Sequence, residues 1–289
     1  MEEKEVTIDK EEVEEVAQSV VESLDPEEAK LMEEMMGLGV FYGRSKSRTN
    51  PKMRPFILAN RSGFGVINLR KTYSAFKTVK TVIEDVISKQ GLILFVGTSP
   101  SVKGIIREAA EELELPYVTE RWLGGTLTNT ETISKRVRYL KKLKEDKASG
   151  ELEKYTKKER LGLERDLLKL EKLFGGIATL DRAPSLMFVA DLNSNDIAAK
   201  EARQTGVKII GILNTDADPD KVDYGIPAND RNNKSIEFIV NKIKEMIIEA
   251  RKKVPTTLVE EKGEQKVPAE GALVQESESP IKEANKEIK

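Results

Sequence analysis

Apolar runs alternate with helical patterns through most of the chain. Residues 92–96, 186–190 and 207–213 are apolar at nearly every position, which is typical of strands that are buried on both faces of a parallel sheet. Two shorter runs, residues 64–68 and 116–118, are also predicted to be strands. Because helical segments lie between the strands, the pattern predicts an α/β fold with a mostly parallel sheet and right-handed crossovers.

Apolar residues that recur at intervals of three and four positions predict the helices. The first begins at Asp25-Pro26, a favoured pair for a helix start, and ends at Gly37 or Gly39. Further helices are predicted at residues 71–89, 101–113, 194–205 and 233–252.

Two stretches of the predicted α/β domain follow neither period. Residues 40–62 contain the turn pairs Asn50-Pro51 and Arg54-Pro55, so this stretch is predicted to be irregular. Residues 214–232 are rich in Asp and are predicted to form an acidic loop.

The alternation is interrupted by two long helical stripes. Residues 131–147 and 158–174 carry apolar side chains in steps of three and four, which is the spacing of a coiled coil. Residues 147–150 include Ser149-Gly150 and are predicted to be a flexible link. The sequence therefore predicts an antiparallel coiled-coil helical hairpin, inserted at residues 130–174 into a globular domain of residues 25–129 and 175–253.

Charge is distributed unevenly along the 289 residues, although the net charge of the whole chain is only -2. Residues 1–30 carry -9 and residues 255–289 carry -3, so residues 31–254 carry +10. A basic body with acidic ends favours a nucleic-acid partner. The segments 1–24 and 254–289 are too polar to form a core, and both are predicted to be disordered.

Histidine and cysteine are both absent. Their absence excludes Ser-His-Asp hydrolases, cysteine proteases and ordinary zinc enzymes, because these need an imidazole or a thiolate. No apolar run approaches 18 residues and the acidic N-terminus does not resemble a signal peptide, so we expect a cytoplasmic protein.

The strongest candidate for nucleic-acid binding is residues 35–83, which contain ten bases and no Asp or Glu. Side chains in its first half are predicted to meet phosphate oxygens, namely Arg44, Lys46, Arg48, Asn50, Lys52, Arg54 and Arg61. Phe41, Tyr42 and Phe56 are interleaved and could stack on unpaired bases. The alternative is a solvated basic loop whose aromatic residues belong to the core.

A second group of candidate RNA-binding cations lies in and near the hairpin. Its members are Arg121, Lys135, Arg136, Arg138, Lys141 and Lys142. The alternative is a solvated coiled coil with ion pairs along its surface. Next to Arg121 stands Trp122, the only tryptophan, which is interpreted either as an anchor for the hairpin or as a neighbour of a phosphate site at Gly124-Gly125.

Two features keep an enzyme hypothesis open. Residues 97–104 join a buried strand to a helix, where phosphate could bind, although the Walker A spacing is absent. Acids also follow the last two strands, where a parallel sheet binds its ligands: Asp191, Asp196, Asp216, Asp218, Asp220 and Asp223. The alternative function is therefore a magnesium- or nucleotide-dependent enzyme that uses Asp191, Asp216 and Asp218.

Four motifs resemble the signatures of the bacterial small-subunit ribosomal protein two family. They are Arg48-Thr-Asn-Pro-Lys-Met-Arg-Pro55, Glu120-Arg-Trp-Leu-Gly-Gly-Thr-Leu-Thr-Asn129, Asp218-Pro-Asp220 and Ile226-Pro-Ala-Asn-Asp230. The resemblance implies a flavodoxin-like five-stranded parallel sheet with a protruding coiled coil. It also implies binding to small-subunit rRNA and to neighbouring ribosomal proteins, including the large ribosomal protein one.

This interpretation predicts no reaction, no cofactor and no metal site. The family usually has His at the positions of Phe41 and Arg44, so metal binding by those histidines does not transfer to this chain. A free RNA chaperone that visits ribosomes transiently is a weaker alternative. For the acidic segment 1–24, three hypotheses stay open: a solvated tail, a cover over the basic face, or a helix that docks on a neighbouring protein through Val13, Val16, Val20 and Leu24.

Overall fold

The computed structural model describes residues 26–180 and 182–253. The acidic segment 1–24, Asp25 and the tail 254–289 lie outside the described residues, as do the predictions made for them. Among the described helices, none combines the length and the apolar character that a membrane crossing requires.

A five-stranded parallel sheet forms the centre of the described chain, as predicted. Its strands are β4 (Ile93–Val96), β5 (Tyr117–Val118), β6 (Leu186–Val189), β7 (Lys208–Leu213) and β8 (Tyr224–Pro227). Their order in the sheet is β5-β4-β6-β7-β8, so the first strand of this sheet, β4, lies between its second and third strands, which is the flavodoxin-like order.

The last strand, β8, was not expected, because residues 214–232 were predicted to be a loop. Its four residues pair with β7 from Ile210–Tyr224 to Leu213–Pro227, at the edge of the sheet. Proline is tolerated in an edge strand, since its missing N–H removes no bond from an inner ladder. The prediction failed because the short sequence Tyr-Gly-Ile-Pro combines a glycine and a proline with little apolar character.

Residues 40–62 were predicted to be irregular, and this prediction is wrong. They form most of a second sheet, which is antiparallel and ordered β1-β3-β2, and two short 3-10 helices. Ser62 and Gly63 both have positive φ, 47° and 81°, and close the two-residue turn between β2 and β3, as a type I′ hairpin requires. The elements are β1 (Tyr42–Ser45), the 3-10 helices Lys46–Arg48 and Pro51–Phe56, β2 (Ile57–Arg61) and β3 (Phe64–Ile67).

The helices cover both faces of the parallel sheet. Alternate strand residues point to opposite faces, so Phe95 and Phe188 join one apolar cluster while Leu94 and Met187 join the other. The first cluster includes side chains of α1 (Pro26–Gly37), α2 (Leu69–Ser88), α3 (Lys103–Glu112) and α7 (Asn233–Lys253), and the second includes side chains of α6 (Asp196–Thr205). These bounds agree with the predicted helices to within about two residues.

Two further helices, α4 (Thr130–Ala148) and α5 (Lys157–Phe174), occupy the stretch between the sheet strands β5 and β6. Leu140 and Leu143 of α4 and Leu167 of α5 are buried in the second apolar cluster. Lys144 of α4 also pairs with Glu171 of α5 at 2.6 Å. The connection includes a 3-10 helix at Glu151–Lys154, and α5 begins with a capping box between Thr156 and Glu159.

Candidate nucleic-acid interface

The basic segment, residues 42–61, is fixed at the carboxyl end of the parallel sheet. The backbone N–H of Asn50 donates to the carbonyl of Thr215 at 2.8 Å, and the N–H of Arg44 donates to Thr215 Oγ1 at 2.7 Å. Thr215 follows β7 closely in the chain. A side chain at Gly43 would come within 2.5 Å of Thr215 Cγ2, so this close approach of the two segments requires glycine.

Arg44 is held inside this junction by two carboxylates. Its Nε lies 3.2 Å from Asp216 Oδ2, its Nη2 donates to Asp230 Oδ1 at 3.0 Å, and only 14% of its side chain is exposed. Burial raises the pKa of Asp230, against the opposing effects of a hydrogen bond from Asn214 and the charge of Arg44. The sequence suggested a phosphate contact for Arg44, but its guanidinium is already engaged within the fold.

Lys52 is also paired, although it lies at the surface. Its ammonium donates to Asp218 at 3.1 Å and to Asp220, and these hydrogen bonds, the one to Asp220 first, raise the pKa of Lys52. The basic segment is therefore free of acids only along the sequence. In space, the stretch 214–232 supplies carboxylates to two of its cations.

The other four cations of the basic segment have no such partner. Lys46, Arg48, Arg54 and Arg61 are exposed, and within the described residues none of them forms an ion pair. We call these four residues the unpaired cations. Asn50 is the uncharged candidate of the basic segment. Its side chain accepts the backbone N–H of Lys52 at 3.0 Å and so caps the 3-10 helix Pro51–Phe56.

The aromatic residues near the segment differ in exposure. Phe41 is buried in the first apolar cluster, so the idea that it stacks on bases is wrong. Phe56 is half-buried and packs against the second cluster, and Met53 beside it is completely buried there. The buried methionine anchors the 3-10 helix, which leaves Arg54 at the surface.

All six candidate cations in and near the two helices are exposed. Lys135 pairs with Glu131 at 2.7 Å, one turn away on α4, and Arg138 donates from Nε to the carbonyl of Ser134 at 3.4 Å. Four others are exposed and form no ion pair in the described part of the chain: Arg121, Arg136, Lys141 and Lys142.

The predicted phosphate loop is closed by a side chain of the protein itself. The backbone N–H groups of Thr98 and Ser99 donate to the carboxylate of Asp191, at 3.3 and 2.9 Å. Burial raises the pKa of Asp191, while the hydrogen bonds from these two backbone N–H groups oppose the rise. Because Asp191 occupies the position of an anion, the amides of Thr98 and Ser99 are not available to a phosphate.

The remaining candidate acids do not converge at this end of the sheet, and Asp223 lies at the opposite end, beside the start of β7. Asp196 pairs with Lys200 and Lys221, both at 2.6 Å, and Asp223 accepts the N–H of Ile209 at 2.8 Å. Within residues 26–180 and 182–253 there is no group of three or more His, Cys, Asp or Glu side chains that could hold a metal ion.

A second internal carboxylate, Glu201 of α6, organises the loop before α4. It accepts the indole N–H of Trp122 at 3.1 Å and the backbone N–H groups of Gly125 and Leu127 at 2.8 and 3.0 Å. Burial would raise the pKa of Glu201, but these hydrogen bonds outweigh burial and lower it. The structure favours the anchor interpretation of Trp122, since the amide of Gly125 is taken by Glu201 rather than free for phosphate.

Glu201 is not among the residues predicted from the sequence, although a signal for it exists. Ala198, Ala199 and Ala202 are buried, so they mark the inward face of α6. Glu201 lies on the same face, where an isolated carboxylate is costly unless it has hydrogen-bond partners. An acid among small buried residues therefore indicates a structural acceptor.

Comparisons with known proteins identify the family. A family model for Ribosomal protein S2 matches residues 35–250. The chain is 42% identical over 220 residues to the small ribosomal subunit protein uS2 of Roseiflexus castenholzii, which covers 76% of this chain and 84% of that protein. The corresponding proteins of Chlorobaculum tepidum and Thermus thermophilus are 42% and 41% identical over 220 residues, and the matches cover 76% of this chain and 88% and 86% of those proteins. The matched range includes the parallel sheet, the basic segment and both helices between β5 and β6, and the chain belongs to the ribosomal protein S2 family.

Proposed function

We propose that this chain is a structural constituent of the small ribosomal subunit, where it binds rRNA and neighbouring ribosomal proteins in translation. Its relatives are named as small ribosomal subunit proteins, so the chain acts without a catalytic reaction and works with the ribosome in the cytoplasm. The comparisons give no support to a magnesium- or nucleotide-dependent enzyme.

The observation that supports the site of rRNA binding is the contrast between paired and unpaired cations in the basic segment. Lys46, Arg48, Arg54 and Arg61 have no carboxylate partner among the described residues, whereas Arg44 and Lys52 each have two. An exposed cation without an internal partner can neutralise a phosphate at little cost to the fold. The unpaired cations are therefore the proposed phosphate contacts of this segment.

Arg44 and Asn50 have a different role in this proposal. Arg44 ties the segment to Asp216 and Asp230, and Asn50 caps the helix that carries Arg54. Both residues hold the unpaired cations in place rather than touch the RNA. Lys52 lies at the surface beside them, and its neighbouring carboxylates weaken its attraction for phosphate.

The second proposed contact is an antiparallel coiled-coil hairpin made by α4 and α5. The buried Leu140, Leu143 and Leu167 and the ion pair from Lys144 to Glu171 support it. With the apolar stripes facing each other, cations are left on the outer surface, where they can reach RNA. The proposed contacts are Arg121, Lys135, Arg136, Arg138, Lys141 and Lys142, of which Lys135 has to compete with its pairing to Glu131.

We also propose the domain organisation and one particular partner. The globular domain consists of residues 25–129 and 175–253, the hairpin of residues 130–174, and the segments 1–24 and 254–289 are acidic or polar extensions. The large ribosomal protein one is proposed as a neighbour, and only the family resemblance supports it. No cofactor enters the proposal.

The dependence of rRNA affinity on salt tests this assignment. Replacing Arg48 and Arg54 by Ala should flatten the slope of log affinity against log salt by roughly 0.7–0.9 for each lost phosphate contact. The matched control is Lys208→Ala, which removes an exposed cation from the opposite, amino-terminal end of β7. A slope that stays unchanged in the double variant, or that falls equally in the control, contradicts the assignment.

Deleting residues 130–174 and joining the ends with a short linker tests the hairpin. We expect cooperative unfolding of the remaining domain and weaker incorporation into small subunits, because the apolar stripes of α4 and α5 are satisfied mainly by each other. An unfolded deletion variant would show that these helices belong to the core of the domain.

A further inference from the structure

A cavity of about 430 Å³ opens beside the basic segment, between the two 3-10 helices and β2. Its volume lies within the range of small-molecule sites in proteins. One part of its lining is apolar, from Pro51, Ile57, Leu58 and Ala59. The other part is polar and includes Lys46, Arg54 and Asn60.

The charged side chains that line this cavity differ from those of the cavity beside α5 and the cavity between α1 and α7. No carboxylate lines it among the described residues, and two of the unpaired cations stand at its edge. By contrast, a cavity of about 540 Å³ beside α5 is lined by Glu111, Glu120 and Glu171 as well as by cations. A third, of about 260 Å³ between α1 and α7, contains Glu34, Glu237 and Glu245. The cavity at the basic segment therefore favours an anionic ligand.

An apolar surface lies next to these charges. Leu58 is 39% exposed, so an apolar side chain is accessible beside the cations. The strand that carries it, β2, is at the edge of the antiparallel sheet, so its outer side has no strand partner within the described residues. Backbone N–H and C=O groups on such an edge can hydrogen-bond a planar polar ligand.

We propose that this cavity receives one unpaired nucleotide of the small-subunit rRNA. The base lies against Leu58 and Pro51 and is hydrogen-bonded by Asn60 or the edge of β2, while the flanking phosphates contact Lys46 and Arg54. A nucleotide of unpaired RNA offers a flat apolar face and phosphates within one residue. The inference rests on the proposed function, since it assumes that the basic segment binds rRNA.

Replacing Leu58 by Ala in the full-length protein separates this base contact from general charge attraction. We expect a loss of affinity for small-subunit rRNA of a few fold, which is less than the loss of a stacking aromatic side chain causes. The salt slope should be unchanged, because no cation is removed. Asn60→Ala, a second variant at an exposed position, should also weaken binding without changing the slope. Ile197→Ala, which truncates an exposed side chain of α6, is the matched control and should bind like the wild type.

Ultraviolet cross-linking of the wild-type complex provides the direct readout. Residues 57–60 should cross-link to one nucleotide, and the chemical reactivity of that nucleotide should rise in the Leu58→Ala complex. If both variants bind rRNA like the wild type and no nucleotide changes reactivity, the pocket is not a nucleotide site. If they weaken only the binding of a neighbouring protein, the occupant is a peptide and the proposal is overturned. Should the wild type show no salt-dependent rRNA binding at all, the proposed function fails together with this inference.

Discussion

Two regions at the carboxyl end of the parallel sheet use charge in opposite ways. In the loops at Thr98-Ser99 and at residues 122–128, backbone N–H groups that could bind an external anion donate instead to Asp191 and Glu201. In the basic segment, four cations have no internal partner within the described residues. The first region satisfies its polar groups within the fold, and the second leaves four cations exposed at the surface.

This difference shows why a count of charges along the chain is an incomplete guide to binding. Arg44 and Arg48 are four positions apart and carry the same side chain, yet Arg44 is held between two carboxylates and Arg48 is exposed. The carboxylates come from residues more than 170 positions away. Whether a cation is used within the fold or stays available at the surface therefore depends on its partners in space.

The largest effect is expected from Glu201→Ala. The change leaves the indole of Trp122 and the amides of Gly125 and Leu127 without their acceptor, and each buried donor left unpaired costs on the order of 1–3 kcal/mol. Because water can reach part of the loop, we expect the free energy of unfolding in urea to fall by about 4 kcal/mol.

Glu237→Ala is the control for this variant, because Glu237 is an exposed acid of α7. Its loss should leave the midpoint of urea unfolding unchanged. A Glu201→Ala midpoint close to that of the wild type would mean that the loop holds its conformation without this carboxylate.

A somewhat smaller loss of stability is expected from Arg44→Ala. The variant leaves the carboxylate of Asp230, of which 7% is exposed, without its cation, and breaking a buried pair costs roughly 3–5 kcal/mol. Since Asp216 is partly solvated, we expect about 3 kcal/mol in urea unfolding. Arg48→Ala removes the same side chain from an exposed, unpaired position and should not move the midpoint. Equal midpoints for the two variants would remove the distinction between structural and binding cations.

The two internal carboxylates should give stability opposite dependences on pH. The pKa of Glu201 is lowered, so its stabilising contribution is present above its ordinary value of 4.5 and is lost as the pH falls below it. Burial raises the pKa of Asp191 above its ordinary 3.8, so the folded chain binds the carboxyl proton more tightly than the unfolded chain does. Stability therefore decreases as the pH rises from 3.8 through the raised pKa of Asp191.

Urea unfolding of Glu201→Gln and Asp191→Asn between pH 6 and pH 3.5 measures these dependences. As the pH falls, the difference in stability from the wild type should shrink for Glu201→Gln and grow for Asp191→Asn. Differences that change in the same direction for both variants would contradict the assignment.

The smallest effect is expected from Lys52→Ala. The side chain is 51% exposed and its pairs with Asp218 and Asp220 are at the surface, where ion pairs contribute little. We expect no measurable change in the urea midpoint and a change in the salt slope of rRNA binding that is less than half of that for Arg54→Ala. A change as large as that of Arg54→Ala would place Lys52 among the phosphate contacts.

The parallel sheet could be predicted because its inner strands are continuous apolar runs, such as residues 92–96 and 186–190. The antiparallel sheet could not, since β1 and β2 lack a clear alternation and depend on β3 and on the turn at Ser62-Gly63. The strand β8 was missed for a similar reason, because its pairing with β7 rather than its own composition makes it a strand.

The candidate site was predictable as a segment but not residue by residue. Composition alone identified the acid-free stretch that contains the unpaired cations. The pairing of Arg44 with Asp216 and Asp230 depends on the way the fold brings β1 next to the residues that follow β7 and β8. Contacts between such distant residues leave no local pattern in the sequence.

Trp122 gives the chain a built-in optical probe. It is the only tryptophan of the 289 residues, so the intrinsic fluorescence excited at long wavelength reports one place, the joint between the loop before α4 and Glu201. Circular dichroism, in contrast, averages over every helix. A shift of tryptophan emission that precedes the loss of ellipticity would reveal that this joint loosens before the sheet unfolds, and the same signal can follow the joint in real time as the protein meets RNA.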